Sequence, residues 1–186
     1  ELLEDCEWFL NNETYYAEKG TPYRRGYVLY GDPGTGKTSL IKALANTYRM
    51  DVFSIDMETV KTNSQFMQLV QEAETIMQNQ PYILCLEDME KSSFVKRNSS
   101  RDYYDDYHSG GKLSMVGFLN ALDGVSEGFG RILIATTNNL LPLQKMTAFI
   151  RPGRIDRCVE VGKCTKQQFT GIMDLYYNDL KVPPEE

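Results

Sequence analysis

Along the chain, short runs of consecutive apolar residues alternate with longer stretches in which apolar residues recur every three or four positions. Tyr27–Tyr30, Val52–Ile55, Ile83–Leu86 and Ile132–Ala135 are runs of the first kind, and Cys158–Val161 is a fifth. Runs this short, rich in branched and aromatic residues, read as strands buried on both faces. Helical spacing occupies Lys37–Tyr48, Ser64–Gln78 and Lys112–Leu122, and a first helix is expected around Glu4 to Phe9, well before the Thr21-Pro22 break that precedes Arg24-Arg25-Gly26. Strands separated by helices predict an α/β fold: one parallel five-stranded sheet with helices on both faces.

One stretch departs from this rhythm. From Lys91 to Gly111 the chain is polar and rich in Ser, Arg, Asp and Tyr. It is too long for an ordinary connection and predicts a mobile or functional loop.

Composition narrows the class without giving a function. With 186 residues, 41% hydrophobic and 25% charged, the chain suits one globular domain and excludes disordered, collagenous and disulfide-dense classes. A formal charge of −6 argues against a general nucleic-acid binder, which needs a concentrated basic surface. Cys6, Cys85, Cys158 and Cys164 show no CxxC spacing, so free thiols in a reducing compartment are expected. No apolar stretch approaches the roughly 18 to 20 residues of a membrane span, and the acidic start is unlike a targeting peptide. A soluble piece of something longer is the expectation from these features and from the start without Met.

The chemistry begins at Gly31-Asp32-Pro33-Gly34-Thr35-Gly36-Lys37-Thr38, a full GxxxxGK(S/T) match after one strand and before one helix. The glycines let the backbone curl so that successive N–H groups face phosphates, and the helix N-terminus adds its dipole. Lys37 reaches the outer phosphates and Thr38 can ligate magnesium. The apolar run Ile83–Leu86 then ends in Glu87-Asp88. At such a strand end one carboxylate can hold magnesium through water while its neighbour polarises an attacking water. By position Glu87 faces magnesium and Asp88 is the base, although the Glu-Asp order leaves the two roles exchangeable.

Two further elements are weaker alone. Ile132–Ala135 continues into Thr136-Thr137-Asn138, and an Asn at a strand tip can hydrogen-bond the attacking water or the γ-phosphate, or simply favour the turn that follows. Arg151-Pro152-Gly153-Arg154-Ile155-Asp156 makes a cationic corner suited to phosphate, or equally a surface turn paired with acids.

These four elements in this order resemble the AAA family of P-loop ATPases. Within it, Gly20–Gly31, the Glu87-Asp88 order, Gly117–Val125, Thr136-Thr137-Asn138 and Ile150–Asp156 are similar to the branch of the mitochondrial chaperone that translocates the Rieske iron–sulfur protein in respiratory complex III assembly. The likeness runs over roughly residues 2 to 178. It implies an ATP hydrolase that holds ATP and Mg2+ on Gly31, Asp32, Pro33, Gly34, Thr35, Gly36, Lys37, Thr38 and Ser39, with Thr38 and Glu87 toward the metal. Glu87, Asp88 and Asn138 would serve the same subunit's nucleotide, and Arg151 and Arg154 would act as fingers on the adjacent subunit's. It further implies a homo-oligomeric ring handling protein cargo, and a division into a lead-in (1–25), an ATPase core (26–162) and the start of a helical lid (163–186). A mitochondrial inner-membrane location, and membrane contact through segments absent from this chain, would follow for a full-length protein of this branch. Nucleic acid is an unlikely partner on charge grounds, and a nucleic-acid loader or initiator is the alternative class.

Two departures from the family pattern stand out. Asp32 takes the place of a small residue or Pro, and Asn139–Ile150 lacks the usual Leu-Asp-Pro-Ala. The loop Met57–Asn63 carries no aromatic residue, which speaks against threading an unfolded chain through a pore. The Asp102–Tyr107 cluster reads as a solvated loop more readily than as a cargo contact, and His108 has no partners for a metal or triad.

Overall fold

The computed structural model describes residues 2–92, 94–96, 111–124 and 128–177. Five parallel strands form one sheet in the order β2-β3-β4-β1-β5. They are β1 (Arg24–Tyr30), β2 (Asp51–Asp56), β3 (Tyr82–Glu87), β4 (Arg131–Thr137) and β5 (Arg157–Glu160). The helices are α1 (Leu2–Asn11), α2 (Glu13–Lys19), α3 (Lys37–Tyr48), α4 (Asn63–Met77), α5 (Met115–Leu122), α6 (Leu140–Gln144) and α7 (Lys166–Tyr177).

The apolar runs are continuous because the central strands are covered on both sides. Successive side chains point to opposite faces of a strand. Tyr27, Leu29, Ile83, Cys85, Ile132 and Ile134 accordingly meet Cys6, Phe9, Ile41 and Leu44 from α1 and α3. Val28, Leu84, Leu86, Leu133 and Ala135 face the other way, onto Phe66 and Val70 of α4 and Phe118 of α5. Phe118 stacks on Phe66 at 5.0 Å and meets Phe149 edge-on at 5.2 Å. The strand edges β2 and β5 are half-exposed, as edges must be.

α3 runs from Lys37 to Tyr48 as the spacing predicts. The helix expected over Lys112–Leu122 starts three residues later. Lys112 instead bridges Thr62, Leu113 N–H donates to Lys61 O (2.8 Å), and Ser114 caps the helix by accepting from Gly117 N–H (3.1 Å). A serine with a free hydroxyl competes better as a cap than as an interior residue. Val161 likewise lies beyond β5, although its N–H still donates to Tyr30 O at 2.7 Å.

The polar stretch that begins at Lys91 is not uniform. Ser92, Phe94 and Val95 are buried, the two apolar side chains in the α4–α5 core. Residues 97–110, with the Asp102–Tyr107 cluster and His108, lie outside the described residues. The loop after β2 also turns inward: Met57 and Val60 are buried while Glu58 and Thr59 face solvent. Cys85 is buried in β3, where burial pushes its thiol up to about 12, and Cys6 is buried against the Tyr27 hydroxyl. No helix among the described residues is long and apolar enough to cross a membrane.

Candidate nucleotide-binding site

All five strands are parallel, so the residues that follow β1, β3 and β4 gather at one edge of the sheet. This is the edge where open α/β sheets hold ligands. The segment after β1 curls through Gly31–Gly36 into α3, with Gly36 as N-cap at φ 97°. That left-handed conformation is open to glycine at no steric cost, and it lets the loop pass straight into the helix. Leu40 N–H makes the first helical bond, to Gly36 O at 2.8 Å. The amides of Lys37, Thr38 and Ser39 therefore precede the helical ladder and point toward the loop's mouth, with no acidic residue in the first turn to compete.

Lys37 is the only buried residue of the loop, and its ammonium is fully engaged. Nζ donates to Gly31 O (2.8 Å), to Asp32 O (3.1 Å) and to Asn138 Oδ1 (2.8 Å). Three donors meet three acceptors. The contact to Asn138 joins the loop to the tip of β4, two elements about a hundred residues apart in sequence. Beside them lies a cleft of about 630 Å³ lined by Gly31, Asp32, Thr35, Asn138, Asn139 and Gly162 among others.

Glu87 ends β3, in register with Asp56 of β2, and its Oε1 accepts from the Ser54 hydroxyl. Asp88 sits at φ 51°, its N–H donating to Thr136 Oγ1 (3.1 Å) and its carboxylate paired with Lys91 at the surface. The strained backbone at Asp88 starts a 3₁₀ turn, Met89–Lys91, which drives Met89 into the core and swings Glu90 back toward β4. Glu90 Oε1 then accepts from both Asn138 Nδ2 (2.6 Å) and Asn138 N–H (3.0 Å). Glu90 and Ser54 escape a reading of the sequence that stops at Glu87-Asp88. An acid two residues further on is the signal that could have drawn attention to Glu90.

The donor set suits a magnesium-bound triphosphate. Thr38 and Glu87 supply hard oxygen donors, and Mg2+ ordinarily takes only one or two protein oxygens, the rest of its shell being phosphate and water. Among the described residues no group of three or more His, Cys, Asp or Glu could form a metal cage.

The two arginines are elsewhere. Asp156 N–H donates to Gly26 O (2.8 Å), so the Arg151–Asp156 turn rests on the start of β1, opposite the phosphate loop. Contact is so close that a Cβ on Gly26 would stand 1.6 Å from Arg154 O. Asp156 holds the turn by accepting from Gly153 N–H (3.1 Å) and Gly26 N–H (2.9 Å). Arg154 points inward: Nε donates to Asp123 Oδ2 at 2.7 Å, and its other nitrogens reach Asp123 and Ala148 O. Asp123 also pairs with Arg24 at 2.8 Å. Burial pushes the Asp123 carboxyl up, but the Arg154 hydrogen bond and the Arg24 charge outweigh it and hold the group below the usual carboxylate range. Arg151, by contrast, is exposed.

Residues 27–163 match the family described as "ATPase family associated with various cellular activities (AAA)". The chain is 36% identical to the probable mitochondrial chaperone BCS1-A of Dictyostelium discoideum over 179 residues, covering 95% of this chain and 41% of that protein. It is 34% identical to the mitochondrial chaperone BCS1 of Homo sapiens over 177 residues (95% of this chain, 40% of that protein). An AAA-ATPase of Arabidopsis thaliana is 35% identical over 179 residues (94% and 35%). The chain spans about two-fifths of the length of the curated relatives it matches.

Proposed function

The chain belongs to the AAA family of ATPases, and on that premise we propose that it binds MgATP, hydrolyses it to ADP and phosphate, and does so in a ring whose subunits move or remodel protein cargo. The observation that carries the first part is the Lys37 Nζ to Asn138 Oδ1 bond of 2.8 Å, which joins the phosphate loop to the tip of β4, the strand paired with the one that ends in Glu87-Asp88. A cation and an amide held together at a helix N-terminus, with two carboxylates at the end of the neighbouring strand, suit phosphoryl transfer to water. Thr38 and Glu87 would hold Mg2+, which would supply neutralisation of charge on the transferring phosphate. The backbone amides of Gly34–Ser39 and Lys37 hold the phosphates, and Asp88 takes the proton of the attacking water once its carboxylate leaves Lys91.

The ring rests on distance. From Gly26, where the arginine corner sits, to Gly31, the strand advances about 16 Å at its usual rise per residue. An arginine at one end of β1 cannot serve phosphates at the other end of the same strand, and the exposure of Arg151 supports a role at a neighbouring subunit's site. Similarity to mitochondrial chaperones supports a protein cargo and a mitochondrial setting for the whole protein. The test is turnover: phosphate release from MgATP by the assembled chain, lost together with nucleotide binding in Lys37→Ala. Unchanged ATP affinity by calorimetry in that variant would overturn the phosphate-loop assignment.

A further inference from the structure

We propose that Glu90 is a positioning residue: its carboxylate takes the backbone N–H and one side-chain N–H of Asn138 and thereby turns Asn138 Oδ1, an acceptor, toward Lys37. This rests on the ATPase reading above and deepens it.

The orientation of an asparagine amide follows from its neighbours. A carboxylate oxygen only accepts and an ammonium only donates. Asn138 lies between one of each, with Glu90 Oε1 at 2.6 Å from one end of the amide and Lys37 Nζ at 2.8 Å from the other. Reversing the amide would set its oxygen against Glu90 and its NH2 against the ammonium, losing two charge-assisted bonds and creating two repulsions. The Asn138 backbone N–H, at 3.0 Å from the same oxygen, fixes the carboxylate in place. Glu90 itself is held by the 3₁₀ turn anchored on the buried Met89, and its second oxygen is buried with no hydrogen-bond partner among the described residues. A carboxylate directed this way at one amide serves to hold that amide.

The consequence favours one of two roles open to a strand-tip asparagine. With one N–H of Nδ2 on Glu90 and Oδ1 turned to Lys37, Asn138 presents its acceptor at the Lys37 end, while the amide keeps a second N–H. At that end it offers Oδ1, which can accept from Lys37 or from a water molecule. In this orientation Asn138 orients the attacking water by accepting a hydrogen bond from it through Oδ1.

The experiment uses a reciprocal exchange in the assembled chain, with kcat and KM for MgATP, binding of a fluorescent ADP analogue and melting midpoint for each variant. Glu90→Ala frees the amide and should lower kcat about tenfold with KM within about twofold, the scale of one lost charge-assisted bond. Asn138→Asp keeps the acceptor but sets two carboxylates face to face, and turnover should fall about a hundredfold. Adding Glu90→Gln to Asn138→Asp supplies a donor to the new carboxylate and should recover about tenfold of that loss. If Asn138 instead donates to the phosphate, Asp at this position fails in both backgrounds and no recovery appears, which overturns the proposal. A Glu90→Ala that lowers only the melting midpoint, with kcat unchanged, overturns it too. Should the parent turn over no ATP, the ATPase reading fails separately. The positioning claim is then decided by NMR of the Asn138 side-chain NH2, protected from solvent exchange in the parent and unprotected in Glu90→Ala; equal protection in both would refute it.

Discussion

Arg154 is clasped by Asp123 of its own chain, Nε to Oδ2 at 2.7 Å, in a half-buried contact that Asp123 shares with Arg24. Three residues away Arg151 stands exposed. The two arginines of one turn are thus committed differently, one to the fold and one to the outside. Arg154→Ala should cost about 2 kcal/mol of stability, because it leaves Asp123 short of a partner. Arg151→Ala should change stability by less than about 0.5 kcal/mol and lower kcat by a factor on the order of 10³. Urea titrations beside steady-state kinetics separate the two, and equal destabilisation by both substitutions would refute the distinction.

Complementation follows from placing the corner at the far end of β1. A Lys37→Ala subunit has an intact Arg151 but no usable phosphate site, whereas an Arg151→Ala subunit has the reverse. Mixed at high concentration, with assembly followed by sedimentation, they should recover part of the parental turnover. If mixed oligomers form and activity stays at the level of the single variants, the arginine acts within its own subunit or not at all.

The Glu87-Asp88 order gives a separable pair of phenotypes. Asp88→Asn should bind MgATP and hydrolyse it at least about a hundredfold more slowly, the usual contribution of a general base. Glu87→Gln should instead weaken the magnesium dependence of binding, with binding in the absence of metal little changed. Calorimetry with and without Mg2+ reads both. The reversed result assigns the base to Glu87, whose carboxylate now receives the Ser54 hydroxyl.

Acid should loosen the first helix before the core. Asp5 of α1 accepts from Arg25 (Nε 3.0 Å), from the Tyr27 hydroxyl (2.6 Å) and pairs with Arg157 (3.1 Å). Burial pushes its carboxyl up, but the hydrogen bonds from Arg25 and Tyr27 and the charges of Arg25 and Arg157 prevail and hold it below the usual value. A depressed carboxylate contributes stability above its unfolded pKa of about 3.9 and loses it as pH falls through the lower folded value. Asp5→Asn should therefore cost about 2 kcal/mol at pH 7, and the gap between parent and variant should close below about pH 4. A gap that persists unchanged at pH 3 would show that packing, not charge, fastens α1.

The apolar periodicity by itself determined the layers of this fold, because strands buried on both faces must be apolar at consecutive positions. The phosphate loop was legible for a related reason: glycines, lysine and hydroxyl act through backbone curl and sequence spacing, both of which are local. Position along the strands even implied that Glu87 and Asn138 would share an edge, since parallel strands all end on one side. What the sequence could not give is which groups touch across that edge. Glu90 reaches Asn138 only because Asp88 adopts a left-handed backbone and a 3₁₀ turn reverses the chain, and the spacing Glu87-Asp88-Met89-Glu90 fits an outward-pointing acid equally well. The inequality of Arg151 and Arg154 is of the same kind: identical side chains three positions apart, distinguished by whether Asp123, some thirty residues earlier, happens to lie beneath one of them. Long-range partners are chosen by the packing of whole elements, and that choice is made only in three dimensions.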